Sequence, residues 1–334
     1  MEKNFMSGHY MQDIKQQERN TPPLLPSCPL RLARHLTRPT RRSITSPSPL
    51  PLLLAILLGA GCGNPTPSPT PGPSPQARVA SLAPSITEIV AALGASDQLV
   101  GRSSACDYPP DVISRLPIVG DFGVPSMERL LATRPTLVLY TDLADESIPA
   151  RLTRSGLNPV HIPCTQLTEV SPAIRAVGHR LGRGAIATQL ADAMDSRIAD
   201  YRRQLPPLDQ RPRVLVLIWN DPLTAAGNKS FLTELITLAG GRNVADTIKR
   251  DYFQVSGEWV VSRDPDVIFC FFMSSDMPAR EMILKQPGWS GVKAVRSGRV
   301  YAGLDNNLIL RPGPRMIQGV EAIQHCLRES HGKP

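Results

Sequence analysis

The sequence predicts an α/β protein of two similar halves joined by a helical segment, and three observations carry that prediction. Strand-like and helix-like runs alternate from Arg78 onward, the pattern of successive strand–helix units. The segments "SMERLLATRPTLVLY" (126–140) and "SGEWVVSRDPDVIFC" (256–270) align without a gap. Ser126 meets Ser256, Glu128 meets Glu258, Pro135 meets Pro265, and an apolar strand follows each proline. Between the two copies, Ile174, Val177, Leu181, Ile186, Leu190, Met194, Ile198 and Tyr201 recur every three to five residues, which is helical spacing.

Each element has a local reason. "RVASLA" is a short β-rich run. "SITEIVAALGA" reads as a helix with Ser85 as N-cap, Glu88 closing a capping box and Gly94 as the stop. "LVGRSS" and "PIVGD" read as strands. Ser126 caps a helix through Thr133, and "TLVLY" and "LNPVHIP" follow as strands. The stretch from Ser171 to Leu205 is helical, with "GRGA" (182–185) breaking or bending it; its second part, about 20 residues, would be ~30 Å long. "RVLVLIW" opens the second half as a strand. "SFLTELITLAGG" repeats the first helix, Thr233-Glu234 against Thr87-Glu88 and Gly240 against Gly94. The Ser-x-Glu unit then returns, followed by the strands "DVIFCF" and "RVYAG" and the helix "RMIQGVEAIQHCL". Repeats of this length can each hold a core, unlike solenoid units. The expected boundaries are 78–168 for the first half, 169–206 for the helical segment and 207–330 for the second half.

The N-terminal 61 residues read as an export segment. "RPTRR" (38–42) is a positive n-region, and "LPLLLAILLGAG" (50–61) is an apolar core too short to span a bilayer of ~30 Å. Small residues then precede Cys62, as in a bacterial lipoprotein signal whose cysteine becomes the lipidated first residue. Leu58 lies four residues before the cysteine, where that pattern has leucine three before, and a cleaved secretory signal is the alternative. The stretch before Arg38 is long for a signal and implies a start codon assigned too far upstream. Residues 62–77 then form a tether with six prolines, stiff and extended. At about 3.1 Å per residue it reaches roughly 45 Å, which suits a domain working near a membrane.

Charge and motifs exclude several classes. The net charge of +8 is concentrated at the N-terminus: residues 1–61 hold 8 Lys and Arg against 3 Asp and Glu, and the remainder holds 29 against 26. No basic block with interleaved aromatics points to nucleic acid. No GxGxxG, GxxxxGK[ST] or GxSxG is present, so an enzyme is not expected. The histidines His161, His179 and His325 share no ligand spacing, and no metal site or cofactor is expected. Four cysteines remain after Cys28 and Cys62. In an oxidising compartment they allow three pairings, of which one bridge per half, Cys106–Cys164 and Cys270–Cys326, is the simplest.

The motifs "SLAPSITEIVAALGA", "CDYPPDV", "GDFGVPSMERLLATRPTLVL", "DPLTAAGNKSFLTELITLAGGRNVA" and "VSGEWVVSRDPDVIF" resemble, in order and spacing, the periplasmic substrate-binding proteins of ABC importers for cobalamin, iron-siderophores and haem. The likeness covers about residues 78–328 and is nearest to the cobalamin-binding members. It implies two α/β lobes with central, mainly parallel sheets, bridged by a single long helix. The ligand would lie in the cleft between them, with modest closure on binding. It also implies a monomer that delivers its ligand to a permease dimer and its ATPase subunits. One glutamate per lobe, here Glu128 and Glu258, would meet arginines on that dimer. Each is also the second residue of a helix, where the macrodipole alone favours an acid. Their matched placement in a duplicated unit suits a two-fold partner.

The same resemblance places Tyr108, Phe122, Trp219, Tyr252 and Arg311 at the ligand. Phe122 and Trp219 have core packing as an alternative, and Arg311 a surface ion pair. With 16 aromatics in the chain and no arginine cluster in the cleft segments, a corrinoid is favoured over an anionic ferric siderophore. Thr141 departs from the cobalamin pattern, which has an aromatic there. Haem stays open, with Tyr108 or His161 as iron ligand. Outside transport, a tethered surface lipoprotein is the alternative.

Overall fold

The computed structural model describes residues 76–272 and 278–329. The export segment, Cys62 and nearly all of the proline-rich tether lie outside the described residues. From Gln76 the chain forms one compact unit.

The first half contains β1 (Val79–Ser81), α1 (Pro84–Ala92), β2 (Leu99–Arg102), α2 (Pro110–Ile113), β3 (Gly120–Asp121), β4 (Val124–Pro125), α3 (Met127–Ala132), β5 (Leu137–Tyr140), α4 (Ile148–Arg154) and β6 (Pro159–His161). Its sheet has the order β2-β1-β5-β6, all parallel, and β3 and β4 form a separate antiparallel hairpin. "PIVGD" is thus mostly not strand: its last two residues form β3, and Ile118 makes a single parallel bridge to Arg102 at the end of β2. Ser85 is not the N-cap of α1. Pro84 takes the first turn, where its missing N–H costs nothing, and moves the cap to Ala83, which makes no side-chain cap bond. Gly94 stops α1 as expected, at φ +66°.

Two helices connect the halves, α5 (Leu167–Arg180) and α6 (Gly184–Arg203), so the bridge is a helix pair and not one continuous helix. Gly182 breaks them at φ +67°. Gln166 and Glu169 form a capping box at the start of α5, four residues before the expected helix start. The pair packs closely, tied by Arg175 to Asp192 and Asp195 and by Ser171 to Asp195.

The second half contains β7 (Arg213–Asn220), β8 (Leu223–Ala226), α7 (Phe231–Leu238), β9 (Arg242–Asn243), β10 (Tyr252–Gln254), α8 (Gly257–Arg263), β11 (Val267–Cys270), α9 (Ala279–Leu284), α10 (Lys293–Arg296), β12 (Val300–Ala302), α11 (Asn306–Ile309) and α12 (Met316–Arg328). The parallel run β9-β7-β11-β12 repeats the order of the first sheet, and β8 and β10 extend it antiparallel.

Strand alternation distributes the core. Along β11 and the two residues after it, Val267, Phe269 and Phe271 face one apolar cluster and Ile268, Cys270 and Phe272 another. The first cluster is shared: it runs from Ile86 and Ile89 of α1 through Ile174 and Val177 of α5 to Leu235 of α7 and Ile323 of α12. The two halves therefore have a continuous core on one side and a private core each on the other.

All four cysteines are free and buried, which overturns the paired reading. Cys270 and Cys326 belong to different clusters on opposite faces of the second sheet. Cys106 packs against Thr87 and Ser103, while Cys164 donates to the Pro312 carbonyl at 3.3 Å. Burial pushes the thiols of Cys164 and Cys270 up to about 12.

Candidate functional site

The duplicated unit folds as two near-copies. Ser126 and Ser256 each cap the helix by accepting from the backbone N–H three residues on, Arg129 and Trp259. Leu130 and Val260, at matching places, are fully buried. Arg134 and Asp264, again matching, both close the unit with left-handed backbone at φ 46° and 42°, and the prolines after them are buried. Glu128 and Glu258 are exposed, and neither makes an ion pair or hydrogen bond among the described residues.

The junction between the halves is held by residues that sequence reasoning missed. Glu88 does not complete a capping box. Its carboxylate, 4% exposed, receives Nε and Nη2 of Arg315 at 2.8 and 2.6 Å, across 227 residues of chain. The Arg315 guanidinium lies 3.7 Å above the centre of the Tyr108 ring, and its bond to Glu88 raises its pKa. Arg311, four residues earlier, pairs with Asp107 and donates to the Ala105 carbonyl at 3.3 Å. Glu234, the counterpart of Glu88, accepts instead from the backbone N–H of Leu167, the first residue of α5, at 2.8 Å. Each half's glutamate thus reaches the start of a helix outside its own half: Glu88 the start of α12, which ends the second half, and Glu234 the start of α5 in the connecting pair.

Beside Glu234 lies a cavity of about 340 Å³ lined by Gln166, Asn228, Lys229, Glu234 and Asp251. Gln166 comes from the start of α5 and the other four from the second half, so the cavity sits at the junction. A short-range signal was available for Asn228 and Lys229, which lie in the turn between β8 and α7. No local signal marks Gln166 or Asp251.

The residues expected at the ligand are spread over this region. Tyr108, 39% exposed, stands in the loop before α2 under Arg315. It shares that loop with Asp107, so the structure brings Tyr108 and Arg311 together. Phe122 is at the turn of the β3–β4 hairpin, half-buried against the shared core. Trp219 is near the end of β7, half-buried, with its indole N–H donating to the Asp221 carbonyl at 2.7 Å. Tyr252 is on the edge strand β10, 37% exposed as a whole residue, with its hydroxyl end turned inward. Its hydroxyl is drawn toward Ser230, and burial raises its pKa. Among the described residues neither Phe122 nor Tyr252 stacks on another aromatic ring. Thr141 is buried, while Tyr140 points to the other face and packs on His161 at 5.2 Å. Among the described residues no group of three or more His, Cys, Asp or Glu is placed to hold a metal ion.

Residues 79–306 match the periplasmic binding protein family. This chain belongs to that family. It is similar to an uncharacterised ABC transporter substrate-binding lipoprotein of Bacillus subtilis, 29% identical over 75% of this chain and 79% of the relative. It is also similar to a vitamin B12-binding protein of Vibrio cholerae, 28% identical over 74% of this chain and 87% of the relative. Its fold superposes on a periplasmic haem-binding protein of Roseiflexus, in apo form, with a TM-score of 0.69 and 29% identity, over 77% of this chain and all of that one. The chain is thus an ABC transporter substrate-binding protein, not an enzyme, of a family whose members include cobalamin- and haem-binding proteins. Such binding proteins work outside the cytoplasm with a permease and its ATPase and take small-molecule ligands. Among the described residues no helix is long and apolar enough to cross a membrane.

Proposed function

We propose that this binding protein captures cobalamin or a related corrinoid between its lobes and hands it to a permease dimer. One observation carries the choice of ligand. Both arginines that reach across the junction are already neutralised, Arg311 by Asp107 and Arg315 by Glu88. Lys229 shares its cavity with two carboxylates, Glu234 and Asp251. A carboxylate- or catecholate-bearing ferric siderophore finds no unpaired arginine in such a site. A corrinoid, rimmed by neutral amides, requires none. Tyr108, Phe122, Trp219 and Tyr252 would supply apolar contact, and Arg311 a polar one. The vitamin B12-binding relative supports the same choice.

Haem is the second reading. The exposed Tyr108 beside Arg315 and the likeness to a haem-binding structure favour it. Calorimetry with cyanocobalamin, haemin and a set of ferric siderophores separates these readings. Cyanocobalamin alone should bind with a Kd at or below about 1 μM; binding of haemin alone, with a visible tyrosinate–iron band lost in Tyr108→Phe, would replace the corrinoid reading.

Delivery would use Glu128 and Glu258 against cations of the permease, with register and on-rate set more than affinity. The Glu128→Ala/Glu258→Ala protein should bind ligand normally and fail in uptake, and a fall in ligand affinity would count against docking. Lipidation of Cys62 would hold the protein on the outer face of a membrane. Cys62→Ser should release it in soluble form, and a variant that stays membrane-bound would remove the anchor from this account. The continuous apolar core between the halves supports a small lobe rotation on binding. X-ray scattering with and without ligand should differ little.

A further inference from the structure

The docking surface has an apolar part as well as an acidic one. In α3, Leu131 lies one turn after Glu128, and in α8, Val261 lies one turn after Glu258, so each pair shares a helix face. Leu131 is 45% and Val261 42% exposed. A single exposed aliphatic residue needs no explanation. Here two occur at matching positions of a duplicated unit, each beside an exposed carboxylate without a partner among the described residues. Their neighbours Leu130 and Val260 are wholly buried, so the core requirement of each helix is met without them.

We propose that Leu131 and Val261 dock with Glu128 and Glu258 as twin acid-plus-aliphatic contacts. The partner is a two-fold pair of permease subunits, each offering a cation beside an apolar socket. This rests on the docking reading of the two glutamates and adds what holds the complex once it has formed. The carboxylates act at range and are screened by salt. The aliphatic side chains act only on contact, and salt does not screen them. The first helix has further apolar reach through the exposed Val124 of β4, whereas its counterpart by spacing is Gln254. The two contacts are therefore similar but not interchangeable.

The test uses the full chain, loaded with cyanocobalamin, and the nanodisc-embedded permease–ATPase complex whose ATP hydrolysis the wild-type chain stimulates. Docking is measured by surface plasmon resonance at low and high salt. Leu131→Ser/Val261→Ser should weaken docking at least about tenfold at both salt concentrations. Its ligand affinity and melting temperature should stay at wild-type values. Glu128→Ala/Glu258→Ala should weaken docking mainly at low salt. Leu131→Ile/Val261→Leu, which keeps aliphatic character, should dock like wild type. A serine pair that docks like wild type, or a conservative pair as impaired as the serine pair, overturns the aliphatic contact while docking through the glutamates stands. If the glutamate pair docks normally, or the wild-type chain stimulates no complex, the docking reading fails and this inference with it.

Discussion

Glu88 and Glu234 stand at the same place in two copies of one helix, yet they hold different things. Glu88 is buried against the guanidinium of Arg315, and Glu234 accepts a backbone N–H at the start of α5. The difference shows that a duplicated sequence can keep its local geometry while each copy solves the same junction separately. Where the first half meets the second, a side chain supplies the positive partner. Where the second meets the helix pair, the helix start itself supplies it. The second solution leaves room for the cavity at Gln166 and Lys229.

The largest test of this comparison is stability. Glu88→Ala strands the Arg315 charge, which is 16% exposed. Removing one partner of a buried pair costs about 3–5 kcal/mol. Glu234→Ala leaves one backbone donor unsatisfied at a half-exposed site, with a loss of about 1–3 kcal/mol. Urea unfolding of both variants measures the gap, and equal losses would erase the distinction between the two junctions.

Ligand binding sharpens it next. Tyr108 of the first half is held under Arg315, and Tyr252 of the second sits on a free sheet edge. Tyr108→Ala should lower cyanocobalamin affinity by about tenfold, or ~1.4 kcal/mol. Tyr252→Ala should lower it less, because among the described residues no cation lies over its ring as Arg315 lies over Tyr108. Titration calorimetry of both variants decides, and a larger loss at Tyr252 would move the main ligand wall to the second half.

The smallest effect lies in the twin positions Arg134 and Asp264. The Asp264 carboxylate accepts from the backbone N–H of Lys293 at 2.9 Å, and that bond lowers its pKa. A lowered folded-state pKa contributes stability above the unfolded value, near 3.9. That contribution is lost as pH falls through the folded value. Asp264→Asn should therefore flatten the acid side of the melting curve below about pH 4, while Arg134→Ala should leave that side unchanged. Melting temperatures from pH 2 to 7 would expose an equal effect at the two sites.

Legibility followed distance along the chain. The caps Ser126 and Ser256 were readable because each bonds three residues on. The stops at Gly94, Gly182 and Gly240 were readable because a positive φ suits glycine. Ser85 misled because the neighbouring Pro84 took the first turn. Glu88 misled because a capping-box spacing looked sufficient, while its partner lay 227 residues away. The expected ligand residues came from motif likeness. The Arg315 that covers Tyr108 had no local mark at all.

By itself, the sequence determined the two-fold repetition, the alternating elements and the paired surface glutamates, since these depend on periodicity and on bonds within one turn. Only the tertiary structure decided that the cysteines stay apart, that the bridge is two helices packed together and that both junction arginines are neutralised. Those outcomes depend on which groups meet when two sheets share one core, and neither spacing nor propensity encodes a partner met only after the chain has closed on itself.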